Sequence, residues 1–121
     1  MSTTTTTFDL ARFTGAIVAR DAAPQIDGYA PDATVTIIDR LAQPGSPRVL
    51  RGREEIAHWI EDTAAREMTH DIASSVAAQD GAAFILRCRY PDGTGVVCAT
   101  VLELAGGAIA AQTVVQAWDE Q

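Results

Sequence analysis

The chain has 121 residues, 47% of them hydrophobic, enough for one core and too few for two. Its formal net charge is −7, and all nine basic residues are arginine. Such a balance argues against a nucleic-acid backbone or an anionic membrane surface as partner. The absence of lysine excludes a Schiff-base lysine and a Walker-type phosphate loop.

Met1 to Thr7 is threonine-rich and lacks a charged region followed by an apolar stretch, so it reads as a disordered lead-in to a single domain over 8–121. No apolar run approaches a membrane span, and the expected compartment is the cytoplasm. The first periodic segment runs from Phe8 to Arg20, with Leu10, Phe13, Ile17 and Val18 at helical spacing. Gly15 lies inside it and suggests a close contact with a neighbouring element. A short helix follows from Ala22 to Tyr29, with Pro24 in its first turn and Gly28 and Pro31 at its end.

Ala33 to Asp39 is rich in β-branched residues and reads as a strand. Pro44, Gly45 and Pro47 mark a loop, and Val49 to Arg51 could be a short return strand. A helix then spans Arg53 to Glu67. Ile56, Trp59, Ile60 and Thr63 form its apolar stripe, and Glu54, Glu55, His58, Glu61 and Asp62 its wet face. Turn signals at Gln79–Gly81, Pro91–Gly93 and Ala105–Gly107 divide the remainder into four strands: His70–Ala78, Ala82–Tyr90, Gly95–Leu104 and Ala108–Trp118.

In the last two strands both alternating sets are largely apolar. Val97, Ala99, Val101 and Glu103, with Ala111, Thr113, Val115 and Ala117, form the set opposite the one facing the helices. A sheet with one solvated face should alternate apolar and polar. This pattern predicts a homodimer through the open sheet face. Cys88 and Cys98 have no histidines at metal-ligand spacing and read as two buried thiols; no metal or cofactor is expected.

The order helix, short helix, strand, helix and four antiparallel strands resembles the nuclear transport factor 2-like superfamily, which includes SnoaL-like polyketide cyclases and ketosteroid isomerase. The stretches that carry the likeness are DGYAPDATVTIID (Asp27–Asp39), RGREEIAHWI (Arg51–Ile60), RYPDGT (Arg89–Thr94) and VVQAWDE (Val114–Glu120). The resemblance implies an α+β fold, a cystatin-like roll in which a cone-shaped, curved antiparallel sheet wraps three N-terminal helices around an apolar pocket. The isomerase's tyrosine, general base and protonated acid fall on Phe13, Ile37 and Thr100, so that mechanism is disfavoured.

Laid on this fold, strand alternation points Val35, Ile37 and Asp39; Phe84, Leu86, Cys88 and Tyr90; Cys98, Thr100 and Leu102; and Gln112, Val114, Gln116 and Trp118 into the cavity. The helices would add Phe13, Ile17, Tyr29, Trp59 and Ile60. Asp39 is the one inward carboxylate, a candidate for proton transfer between apolar walls or else a cap on the following loop. His70 either faces the cavity as an acid or base, as the resemblance suggests, or sits on the rim bonded to Asp71; a single bulge would decide. Gln112 and Gln116 must each find a partner in ligand, water or protein, with each other, Thr100 and Tyr90 as protein candidates.

Arg87 and Arg89 should lie on the open face and pair with Glu103 or a second subunit, whereas a reversed register would turn them into the cavity and suggest an anionic ligand. A two-residue loop at Asp92–Gly93 would set Cys88 opposite Val97, and a three-residue loop opposite Cys98. The function expected is binding of a small, mostly apolar molecule with one or two polar groups. Cofactor-free isomerase, cyclase, dehydratase or hydrolase chemistry would use Asp39 and His70. The alternative is a non-catalytic ligand-binding or dimerisation module.

Overall fold

A computed structural model of the chain describes residues 7–119, so the expected lead-in lies outside the described residues except for Thr7. In chain order the elements are α1 (Leu10–Val18), α2 (Ala22–Asp27), β1 (Tyr29–Ile38), β2 (Arg48–Arg51), α3 (Gly52–Ala65), β3 (Thr69–Ala77), β4 (Gly81–Arg89), β5 (Gly95–Ala105) and β6 (Ala108–Trp118). None of these helices is long and apolar enough to cross a membrane.

Helix α1 begins where Asp9 accepts a hydrogen bond from the Arg12 backbone N–H at 3.0 Å, a side-chain cap that satisfies one of the free first-turn amides. Its buried residues are Phe13, Thr14 and Ala16. Val18 departs from the expected stripe and is 44% exposed, because the helix stops there. Arg20 takes a left-handed φ of 58° and donates from Nε to the Ala64 carbonyl at 3.1 Å, tying the helix end to α3. Gly15 faces open space, with nothing within 4 Å of an added Cβ, so it marks no close contact.

Tyr29 is not the end of α2. Gly28 caps that helix, and Tyr29 opens β1, where it pairs with Ile109 of β6. The strand's alternation, buried at Tyr29, Ala33, Val35 and Ile37, shows why: these side chains are the inner face of a sheet strand. The six strands are ordered β2-β1-β6-β5-β4-β3. Neighbours pair antiparallel except β1 with β6, which run parallel. Helix α3 packs Ile56 and Ile60 against this sheet and leaves His58 exposed with the acidic residues around it.

The β4–β5 hairpin follows neither register offered by the sequence. Pro91-Asp92-Gly93 forms the loop, Tyr90 and Thr94 close it through a 2.9 Å backbone bond, and Cys88 stands opposite Val96. Gly93 has φ 93°, a left-handed position suited to glycine, which lets a three-residue turn reverse the chain. The parity of this register sends Cys88, Val96 and Cys98 inward, and Arg87 and Arg89 outward. Arg87 pairs with Asp71 at 2.8 Å, not with Glu103, and Arg89 donates to the Gly93 carbonyl at 3.2 Å.

Strand β3 carries a bulge between Ile72 and Ser74. It falls after His70, so His70 stays directly opposite Cys88 and shares its inward face. On the outer face Val97, Val101 and Val115 are 43%, 54% and 45% exposed.

Candidate functional site

The helices and the inner sheet face leave a cavity of about 320 Å³ between them. Its lining draws on α1, α2, α3 and all six strands. Phe13, Ile17, Tyr29, Ile37, Asp39, Trp59, Ile60, His70, Leu86, Tyr90, Thr100, Gln112, Gln116 and Trp118 all contribute to that lining. Val35 and Leu102, also on the inward sets, are 0% and 1% exposed and belong to the packed core.

The inner end is closed by a buried polar pair. The Tyr29 hydroxyl donates to Oε1 of Gln112, and both residues are under 10% exposed. Burial pushes the Tyr29 phenol above its ordinary range and the Gln112 bond opposes this only in part, so Tyr29 stays a neutral donor. Gln112 therefore has Tyr29 as its partner, where the sequence offered Thr100 and Tyr90. Gln116 likewise takes a different partner: its Oε1 accepts from Trp118 Nε1 at 3.0 Å.

The mouth is built from aromatic rings and arginines. Tyr90 and Trp118 stack with centroids 5.8 Å apart, and the Arg40 guanidinium lies 4.2 Å above the Trp118 ring. Arg66 donates to the Tyr90 hydroxyl at 3.2 Å and pairs with Asp62 at 2.8 Å. Arg20 and Arg48 complete a group of four arginines in the lining. None of the four was among the residues expected there. They come from a helix end, two loop-flanking positions and a helix cap, where no periodicity signals an inward side chain.

Asp39 sits beside Arg40 at the end of β1. Its Oδ1 accepts the backbone N–H groups of Leu41 and Ala42, both at 2.8 Å, so it caps the following loop while also lining the cavity. His70 faces inward, its Nδ1 3.1 Å from Cys88 Sγ, while Asp71 points outward to Arg87. Cys98, on the neighbouring strand, lines the same wall. The sequence showed each cysteine as inward but not the cluster, because strand register decides which residues meet. Among the described residues no group of three or more side chains is arranged to hold a metal.

A six-stranded, curved sheet covered on one face by three helices defines the cystatin-like α+β class. The family model described as SnoaL-like domain matches residues 10–112, and the chain belongs to the SnoaL-like family. Solved structures share the fold at low sequence identity. A nuclear transport factor 2-like protein of unknown function from Mesorhizobium loti is 16% identical, with TM-score 0.77 over 89% of this chain and 87% of that one. A protein of unknown function with a cystatin-like fold from Methylobium petroleophilum is 16% identical, with TM-score 0.69 over 93% of this chain and 75% of that one. SalBIII, an epoxide hydrolase/cyclase-like enzyme of pyran ring formation in salinomycin, is 19% identical, with TM-score 0.67 over 89% and 87% of the two chains. No functionally curated protein matches in sequence.

Proposed function

We propose that the cavity binds a small, mostly apolar molecule and acts on it by acid–base chemistry without a cofactor, with His70 as the principal proton handler. The observation that carries this reading is the inward position of His70 in the cavity lining, beside Cys88 and on a wall shared with Phe84, Leu86 and Val96. Histidine is the side chain best suited to proton exchange near neutrality, and apolar walls keep competing water away from it. Asp39 supplies a carboxylate at the mouth, already oriented by two loop amides. The arginines there favour a ligand whose polar end accepts hydrogen bonds, while Gln116 and Thr100 position its polar groups.

The cyclase-like neighbour fits this class of chemistry at the level of fold. The two free thiols suit a reducing compartment such as the cytoplasm. The outer-face valines support assembly as a homodimer.

Native mass spectrometry of the purified protein should reveal a retained molecule of a few hundred daltons, a size suited to a cavity of this volume. With a substrate identified, His70→Ala should lower kcat by about 100-fold or more, the usual scale of general acid–base catalysis. Asp39→Asn should lower it less. Full activity in both variants would overturn the assignment. Binding without product in the unaltered protein would identify a ligand-binding module instead.

A further inference from the structure

The register of three strands gathers one more group on the cavity wall. His70 of β3 stands directly opposite Cys88 of β4, and Cys98 of β5, opposite Leu86, is the diagonal neighbour of Cys88. Alternation puts all three on the inner face. Cys88 and Cys98 are free thiols, 8% and 7% exposed, and both line the cavity. The Cys88 sulfur thus has two polar neighbours, His70 Nδ1 at 3.1 Å and, diagonally across on β5, the Cys98 thiol.

Two partners on one sulfur separate the thiols. The Cys98 hydrogen bond, and after it His70, hold the Cys88 thiol below its ordinary range against the opposing effect of burial. Cys98 is pushed up, by its bond to Cys88 and by burial, and so remains an S–H donor. A nucleophile, a proton acceptor in hydrogen-bond reach and a stabilising donor are the parts of an activated thiol.

We propose that Cys88 is a nucleophilic thiolate that captures α,β-unsaturated carbonyl compounds entering the cavity, with His70 as its proton partner and Cys98 as the donor that stabilises the sulfur. The substrate class follows from the surroundings. A thiolate is a soft nucleophile, the walls accept an uncharged carbon skeleton, and conjugate addition needs neither an oxidant nor a leaving group. In the reaction the Cys88 proton passes to His70. The sulfur electron pair forms the C–S bond at the β-carbon, the C=C electrons shift to the enolate, and the α-carbon takes the proton back from His70. The sum is addition of S–H across C=C.

This goes beyond the acid–base reading and shares with it the entry of small molecules into the cavity and His70 as the proton carrier. The test uses N-ethylmaleimide, itself an unsaturated carbonyl, on the folded full-length protein at substoichiometric concentration. Intact-mass kinetics at pH 6 and pH 8 are followed by peptide mapping. One adduct on Cys88 is expected, with a rate that changes less than about 10-fold between the two pH values. An ordinary thiol near pKa 8.5 would change nearly 100-fold. His70→Gln and Cys98→Ala should each restore the steep profile, and Cys88→Ser should abolish the fast adduct. Cys98→Ser, closer in size and still a donor, should keep the shallow profile. Melting curves of each variant separate loss of the site from loss of the fold. An adduct on Cys98, an ordinary pH profile at Cys88, or labelling that occurs only in urea would overturn the proposal. No natural ligand is needed, so failure here leaves the acid–base reading standing, and an empty cavity in native mass spectrometry leaves this one standing.

Discussion

Tyr29 and Gln112 form the buried polar pair closing the inner end of the cavity, and each depends on the other. Tyr29→Phe removes the hydroxyl and leaves the Gln112 carbonyl oxygen without its donor in a site only 6% exposed. The expected cost is about 1–3 kcal/mol, measured as a lower urea midpoint with unchanged slope. The pair also makes stability pH-dependent. Because the folded phenol holds its proton above the ordinary range, its contribution is complete below about pH 10, where an unfolded tyrosine is still protonated. It is lost as the pH rises beyond that and the unfolded state ionises first. Urea titrations between pH 8 and pH 11 should show stability falling at the alkaline end, and Tyr29→Phe should flatten that fall. The need of each inward amide for a partner was legible in the sequence. Which partner was not, because Tyr29 reads as a helix end and becomes a sheet residue only when β1 pairs beside β6.

Two glycines test opposite expectations at the scale of the element. Gly15 lies inside α1 on an exposed face with open space around it. Gly15→Ala should therefore raise stability by about 0.5–1 kcal/mol, since alanine loses less backbone entropy in a helix. Gly93 sits at φ 93° in the β4–β5 turn. Gly93→Ala should lower stability by about 1–2 kcal/mol, because a Cβ strains a left-handed residue. Chemical denaturation of the two variants should move in opposite directions; a destabilised Gly15→Ala would mean the helix is packed more closely on that face than the structure shows. The turn residues announced the hairpin. Loop length and register emerged only from the closing Tyr90–Thr94 bond, and with them the residues that stand opposite Cys88 and Arg87, Val96 and Val97.

For the whole molecule, the outer sheet face carries the dimer proposal. Val97 pairs with Ala117, Ala99 with Val115 and Val101 with Thr113, so these small and β-branched side chains form one continuous patch across β5 and β6. Burying such a patch against its own copy is favourable at about 25 cal/mol per Å² of apolar area. Light scattering should give about twice the 12.8 kDa chain mass. Val115→Glu, which places a charge in the middle row of the patch, should shift the protein to monomer. A monomer in the unaltered protein at micromolar concentration would remove the proposal.

Local periodicity was sufficient for the order of helices and strands, and strand alternation laid on the resemblance to the SnoaL-like fold was sufficient for the inward set on each strand. Those properties depend on residues a few positions apart, whose side chains point to one side by helix or strand geometry alone. The tertiary structure decided the rest. Residues distant in the chain meet only through strand register, the place of a bulge and the packing of loop ends. The His70–Cys88–Cys98 cluster, the Tyr29–Gln112 pair and the arginine-lined mouth all arise from such non-local choices.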